Sequence, residues 1–338
     1  MRSQTILALL LATPLLFGAE RKPGSPLDHL PSTMKQLTYF GERADFSPDN
    51  QRVAFMAKSF GDAFVVDLKT RIIRCLTCNV PGAAFLRVMH LSNGDYILIG
   101  PDHFENINVS RSRDNELWYL SRKPGSKPIK LGQKMSEGAA LSKKSMKIGF
   151  SIGHGQDSSI AEGATKLMTA EVDLAGSEPA LKNKRVVHES PDRGCYLEAQ
   201  DFFDNDTKMT FSCYEPEGKA SVWTIDLQTG TTVNQTASIG YYNEPEGIFP
   251  DGLHTCVESD SQSRVFGDQA SFRNIDIWKL RLDGTGKSFT RLTYFNDYEG
   301  WKASNPVVST DGRFMAFQIA QTRDEAGVGY GIMLMKLP

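Results

Sequence analysis

The sequence predicts an all-β fold, a six-bladed β-propeller whose last blade is completed by an N-terminal strand, and three observations carry that prediction. Residues 44–68, ADFSPDNQRVAFMAKSFGDAFVVDL, string together a short strand, an Asp-bearing turn, a strand, a loop and a third strand, and this order returns down the chain. Six such turns alternate with six apolar third strands. The last unit stops after its third strand, while an unattached strand, residues 35–40 (KQLTYF), stands ahead of the first unit and nearly duplicates RLTYF at 291–295.

The turns fall at residues 47–50 (SPDN), 92–95 (SNGD), 142–145 (SKKS), 204–207 (DNDT), 250–252 (PDG) and 310–312 (TDG). Pro fixes φ, and Asn, Asp and Gly tolerate the unusual backbone angles that tight turns need. The third strands are FVVDL (64–68), LWYL (117–120), LMTAEVDL (167–174), VWTIDL (222–227), IWKLRL (277–282) and GIMLMKL (331–337), rich in β-branched and aromatic residues. Fourth strands follow at 74–77, 128–132 and 290–295. Units of about fifty residues suit four-stranded blades. Closing the ring with residues 35–40 hides the edges an open sheet would expose.

The length of 338 residues allows two domains, but no linker divides the repeats. With 40% hydrophobic residues a core is readily built, and a net charge of -2 with scattered Lys and Arg argues against nucleic acid as a partner. Residues 1–19 read as a secretory signal: Arg2, a short apolar run over 6–17, then Gly18 and Ala19. An uncleaved anchor is the alternative, although the run is too short to span a bilayer. Residues 20–34 read as a linker and 35–338 as the propeller, in a secreted or periplasmic protein with no membrane span after signal cleavage. An exported chain permits disulfides. Cys195 with Cys213 is the preferred pair because both fall in one repeat, and Cys75 and Cys78 form a local bridge or remain inert thiols. Asn108, Asn205 and Asn234 open N-x-S/T triplets, which matter only in a glycosylating host.

The runs FSPDNQRVAF and VSTDGRFMAF, each followed by an apolar strand, resemble the WD40-like (PD40-type) repeats of the TolB family of exported propellers, over essentially residues 35–337. The C-terminal unit is also similar to secreted saponin-hydrolase-like proteins. These resemblances imply the propeller. They are compatible with a non-catalytic cell-envelope scaffold that holds a protein partner, and with the lyases, glycosidases and lactonases that similar rings carry. They transfer no catalytic residue.

In a four-stranded up-and-down blade the first-to-second and third-to-fourth connections share one face, and these are short here. The other connections are long and polar, as at 100–115, 151–166, 258–274 and 321–331. Long loops gathered on one face point to function, and His90, His103, His154 and His188 fall in or beside them. Arg43, Glu137, Glu198, Glu244, Glu246 and Lys302 are expected at the channel mouth. Glu244 and Glu246, with Glu198, are candidate acid–base carboxylates of the glycosidase kind, unless one merely caps a loop or pairs with Lys302. His103 and His154 are candidates for a metal pair or a proton shuttle, or else surface residues. Tyr241, Tyr242 and Trp301 suit stacking on a sugar, with Arg264 or Arg323 on its hydroxyls or a uronate, or else blade packing. Asp324 and Glu325 adjoin a glycine-rich loop that could lie over the pocket. No cofactor is expected, and no ligand motif supports a divalent metal at the channel mouth. GxSxG, HExxH and P-loop signatures are missing. The expected ligand is small and polar, a glycoside or acidic oligosaccharide that is bound or cleaved by a monomer. The competing expectation is an envelope protein partner.

Overall fold

The structure, a computed structural model, describes residues 19–269, 271–324 and 327–338. The export signal expected over residues 1–19 therefore lies, but for its last residue, outside the described residues.

Strands are numbered along the chain, beginning with β1 (Met34–Gln36). Blade 1 comprises β2 (Glu42–Phe46), β3 (Arg52–Met56), β4 (Ala63–Asp67) and β5 (Ile73–Cys75), and blade 2 comprises β6 (Arg87–His90), β7 (Tyr96–Gly100), β8 (Glu116–Leu120) and β9 (Ile129–Lys134). Blade 3 is β10 (Ala139–Leu141), β11 (Lys147–Gly153), β12 (Thr165–Asp173) and β13 (Ala180–Ser190), and blade 4 is β14 (Tyr196–Phe203), β15 (Lys208–Glu215), β16 (Lys219–Asp226) and β17 (Thr232–Asn234). Blade 5 is β18 (Asn243–Ile248), β19 (His254–Ser259), β20 (Asp276–Arg281) and β21 (Phe289–Arg291). In blade 6, β22 (Trp301–Val308), β23 (Phe314–Gln321) and β24 (Ile332–Lys336) take β1 as their outer strand. The result is six antiparallel four-stranded sheets around one axis, the six-bladed propeller that the repeats predict.

Closure comes from β1, whose Met34, Lys35 and Gln36 lie opposite Met335, Leu334 and Met333. The regular strand is shorter than residues 35–40. Leu37 N–H still donates to Ile332 O (2.7 Å) and Ile332 N–H to Thr38 Oγ1 (3.0 Å), but Tyr39 is 84% exposed and leaves the sheet. Leu37 enters a cluster with Phe46, Val53, Phe55, Ala316 and Ile332, so the closing segment fills the seam between blades 6 and 1. On the opposite side of that seam, Asn50 Nδ2 donates to Thr310 Oγ1 (2.7 Å) and Thr310 N–H to Asn50 Oδ1 (2.9 Å), tying the two most similar turns together. Those turns are built alike. Ser47 Oγ accepts from Arg52 N–H and Asp49 Oδ1 from Gln51 N–H, as Ser309 Oγ accepts from Phe314 N–H and Asp311 Oδ1 from Arg313 N–H.

Residues 20–34, expected as a linker, are docked on blade 6. Lys22 N–H donates to Asp297 O (2.7 Å), Trp301 Nε1 donates to Gly24 O (3.1 Å), and Leu27 and Leu30 pack against the core that contains Phe295 and Phe317. Cys195 and Cys213 are bonded across β14 and β15 (Cα–Cα 5.0 Å), Cys75 and Cys78 form a second disulfide (Cα–Cα 5.8 Å), and Cys256 is free and buried. Among the described residues, no helix is long and apolar enough to cross a membrane.

Removing Leu37 packing from the closing seam is expected to cost about 3 kcal/mol, so Leu37→Ala should lower the unfolding free energy measured in urea by that amount. Tyr39→Ala should change it by less than about 0.5 kcal/mol. Equal effects of the two would mean that the seam is not held by this segment.

Candidate functional site

The innermost strand of each blade faces the axis, and four of the six are bulged there. Pairing of β2 with β3 is irregular between Glu42 and Asp45, of β14 with β15 between Ala199 and Asp201, of β18 with β19 between Pro245 and Ile248, and of β22 with β23 between Ser304 and Val307. A bulge re-aims the unpaired side chain. The residues so released, Arg43, Gln200, Glu246 and Asn305, all line the axial cavities. Arg43 and Asn305 hold φ of 54° and 47°, a costly region for residues with a side chain, and strain of that kind concentrates at functional sites. Second strands of the preceding blades hold the strained amides: Arg43 N–H donates to Gln318 Oε1 (2.8 Å) and Asn305 N–H to Glu258 Oε1.

Two cavities occupy the channel. One of about 730 Å³ opens beneath the long loops, one of about 330 Å³ opens between the tight turns, and Arg43 and Arg87 line both and so form the waist. Each opening follows from chain direction, because first strands run from the loop face to the turn face.

The loop-face cavity concentrates carboxyls and guanidiniums. Arg43 donates to Glu137 Oε1 (2.6 Å), and Arg111 Nε lies 3.2 Å from Glu137 Oε2. Burial works against the charged form of Glu137, but Arg43, Arg111 and Arg87 outweigh it and hold the carboxyl down at about 2. Beside it, Glu198 behaves oppositely. Burial, then the charges of Glu137 and Glu244, push it well above the usual carboxylate range, and Arg87 stands 3.9 Å away, too far to offset them. Gly138 permits this juxtaposition, since a Cβ there would lie 2.2 Å from Glu198 Oε1. Glu244 accepts from Tyr214 Oη on one oxygen and from Tyr242 Oη on the other, while Gln200 Nε2 donates to Ser212 Oγ (3.0 Å) and lies 3.4 Å from Glu244. Burial, then the charge of Glu244, push Glu258 up to about 8. Burial lowers Lys302, which Glu258 only partly offsets, and its ammonium donates to Phe272 O (3.3 Å). Buried nitrogens of Arg43, Arg87 and Arg111, and the hydroxyls of Ser136 and Ser304, have no hydrogen-bond partner and line this cavity.

Of the residues expected from the sequence, Arg43, Glu137, Glu198, Tyr242, Glu244 and Lys302 converge on the loop-face cavity. Glu246 instead lines the turn-face cavity, where its Oε1 accepts from Asn305 Nδ2 (3.0 Å) and where burial and neighbouring carboxylates raise it well above its ordinary value. Several expectations require correction. His103 stands 94% exposed, and His154 is exposed with Nδ1 against Ile160 O (2.7 Å), because their loops carry them outward over the blades. Tyr241 lies under the Arg264 guanidinium (3.8 Å), which also donates to Ile239 O, so this pair stacks on itself outside the cavity. Trp301 packs on the blade 6 core, and the Arg323 side chain is 77% exposed. His90 is buried at the turn-face end of β6 against Asp45 (2.8 Å), and His188 sits on outer strand β13, so the histidines do not gather at one mouth. Glu325 lies outside the described residues.

Sequence reasoning missed Arg87, Arg111, Tyr214, Glu258, Phe272 and Asn305. Aligning the inner strands would have drawn attention to Arg87, in LRVMH, and to Asn305, just after Lys302. Glu258 and Tyr214 lie near the ends of second strands, whereas the channel-mouth carboxylates were sought on the approaches to first strands. The cysteines near Asp62 are tied in their disulfide and are not free metal ligands.

No family model matches the chain, and no curated protein matches it. Its structure is similar to that of a TolB from Agrobacterium tumefaciens (13% identity, 81% of this chain and 96% of that one, TM-score 0.51). It is also similar to the calcium-binding protein regucalcin from the same organism (11%, 94% and 93%, 0.52) and to hydrazine synthase of Kuenenia stuttgartiensis (10%, 87% and 82%, 0.52). At these identities the likeness is one of fold alone, that of a β-propeller.

The raised Glu258 carboxyl sets a pH dependence. A group whose folded value, about 8, exceeds its ordinary 4.5 binds more protons when folded, so its contribution is fully present below 4.5 and is lost as pH rises towards 8. Thermal midpoints should therefore fall between pH 5 and 8. Glu258→Gln should gain on the wild type at pH 8 and not at pH 5. A constant difference across that range would contradict the buried, protonated carboxyl.

Proposed function

We propose that the protein is an exported propeller that binds a glycoside or acidic oligosaccharide in the loop-face cavity and cleaves its glycosidic bond by carboxylate acid–base chemistry. One observation carries this reading: a buried and a half-buried carboxyl converge there with opposed protonation, Glu198 pushed well up and Glu137 held at about 2. Acids separated in this way by their surroundings are how one site supplies a proton donor and a charged group at the same pH.

In this mechanism Glu198 gives its proton to the glycosidic oxygen as the bond to the anomeric carbon breaks. Glu244, fixed by two phenols, takes the proton of the incoming water or attacks that carbon directly, the separation of the two carboxyls deciding which. Phe272, 44% exposed beside Tyr242 (ring centroids 6.3 Å), offers a platform for the apolar face of a sugar ring. Arg111 Nη2, which has no hydrogen-bond partner, suits a sugar hydroxyl or a uronate. Export rests on the composition of residues 1–19. Exposed Val265 (61%), Phe104 (46%) and Val328 (46%) on the long loops favour a second reading, in which the same face holds an envelope protein.

A screen of glycosides and acidic oligosaccharides, with and without chelator, on the protein lacking residues 1–19 tests this. Turnover is expected, falling on the order of a thousandfold in Glu198→Gln and in Glu244→Gln with the fold retained by circular dichroism. No turnover on any substrate, together with capture of one envelope protein that Val265→Asp abolishes, would replace the enzymatic reading with the scaffold.

A further inference from the structure

The turn-face cavity is independent of the loop-face reading and has its own chemistry. Every blade contributes at least one apolar side chain to its wall from the end of its first strand or the turn that follows, among them Phe46, Met89, Leu141, Phe203, Phe249 and Val308. Phe46, Leu141 and Phe249 are buried and the other three half-buried, so the wall forms a collar around a space of about 330 Å³, within the range of small-molecule pockets. Its inner end is polar. Asp45 is already matched, by Lys143 at 2.7 Å and by His90 at 2.8 Å, and Arg43 is matched by Glu137. Asp201 accepts from Phe202 N–H (2.8 Å) and Ile248 N–H (3.1 Å), and Glu246 from Asn305.

Arg87 is the exception. It is 9% exposed, its Nε has no hydrogen-bond partner, and its nearest carboxylate oxygen, on Glu198, is 3.9 Å away. Burial raises Asp201 to about 7 and Glu246 well above its ordinary value, so neither supplies a full countercharge. The ionised Glu137 acts on Arg87 only from a distance, being engaged directly by Arg43 and Arg111, and a buried guanidinium with no carboxylate in hydrogen-bonding contact is costly, a cost that an anion placed against it relieves.

We propose that the turn-face cavity binds a small apolar carboxylate, its hydrocarbon body within the collar and its carboxylate on Arg87. The site thus takes an amphipathic acid, in contrast to the polar ligand of the opposite mouth. Selectivity follows from the two halves. The collar rewards each added methylene, and Arg87 rewards a negative head over a neutral one.

Calorimetric titration of the whole protein with hexanoate, octanoate and octanol tests this, with methionine methyl spectra as a second readout. Octanoate should bind with one-to-one saturation, about fifteenfold tighter than hexanoate for its two extra methylenes, and more tightly than octanol. The Met89 methyl should shift, and that of Met335, outside the cavity, should not. Arg87→Gln should weaken octanoate at least tenfold and leave octanol unchanged. Val308→Trp, which narrows the collar, should abolish both. Equal binding of octanoate and octanol to the wild type, tighter binding of octylamine than of octanoate, or an unmoved Met89 methyl would overturn the proposal. Met89 is read in the unmodified protein, so this outcome does not depend on any variant folding.

Discussion

Everything in this molecule depends on the pairing of β1 with β24. A ring of sheets is stable only when it has no open seam, because each blade buries its faces against two neighbours and an unclosed sixth blade would leave both an edge and an apolar face in water. Three paired residues, Met34 to Gln36, supply the missing strand, and Leu37 supplies the wedge. The closure also fixes the channel. Arg43, one of its central charges, lies six residues beyond Leu37, on the first strand after the seam, and its strained amide is held by Gln318 from the last blade. A loosened seam would therefore reach the axial charges as well as the outer strand that closes it.

Bulges convert that ring into a site. A regular inner strand alternates its side chains between the two faces of its own blade, which in a propeller means between neighbouring blades. By interrupting the ladder in four inner strands, the chain turns Arg43, Gln200, Glu246 and Asn305 to the axis, at the cost of unpaired amides, which Gln318 and Glu258 satisfy at two of the four. Glu258 thus serves two purposes: it anchors Asn305 and belongs to the cluster of carboxyls around the cavity. Polar residues so deep in the fold are affordable only because each has a partner or a cavity to face.

The repeats made the fold legible. Turn signals such as Ser47–Pro48–Asp49 and Ser309–Thr310–Asp311 act locally, through hydrogen bonds within a few residues, and local chemistry survives in a sequence read without coordinates. The closing strand was legible for the same reason, as a surplus strand at one end matched a deficit at the other. The site was legible only where it stood on first strands. Glu198, Glu244 and Lys302 follow from their place in the repeat, whereas Glu258, Tyr214 and Arg111 arrive from second strands and a loop of other blades, brought in by the ring and not by the chain. Exposed polar loops misled in the opposite direction: His103 and Arg323 have the residue types of a site but extend into solvent, because a long loop on a propeller covers the blades as readily as the axis.

The waist gives the channel its electrical character. Arg43 and Arg87 belong to both chambers, so the same two guanidiniums act on Glu137 and Glu198 from one side and on Glu246 from the other. Arg43 is spent on Glu137, which is why that carboxyl is driven down while Glu198, only a residue's width away across Gly138, is driven up. Neighbouring carboxyls do not readily both ionise in so dry a space, and the direct contacts of Arg43 and Arg111 with Glu137 decide which of them does. The opposed protonation of the loop-face cavity is therefore a consequence of geometry at the waist, and whatever anion engages Arg87 from the turn face must alter the balance on the far side.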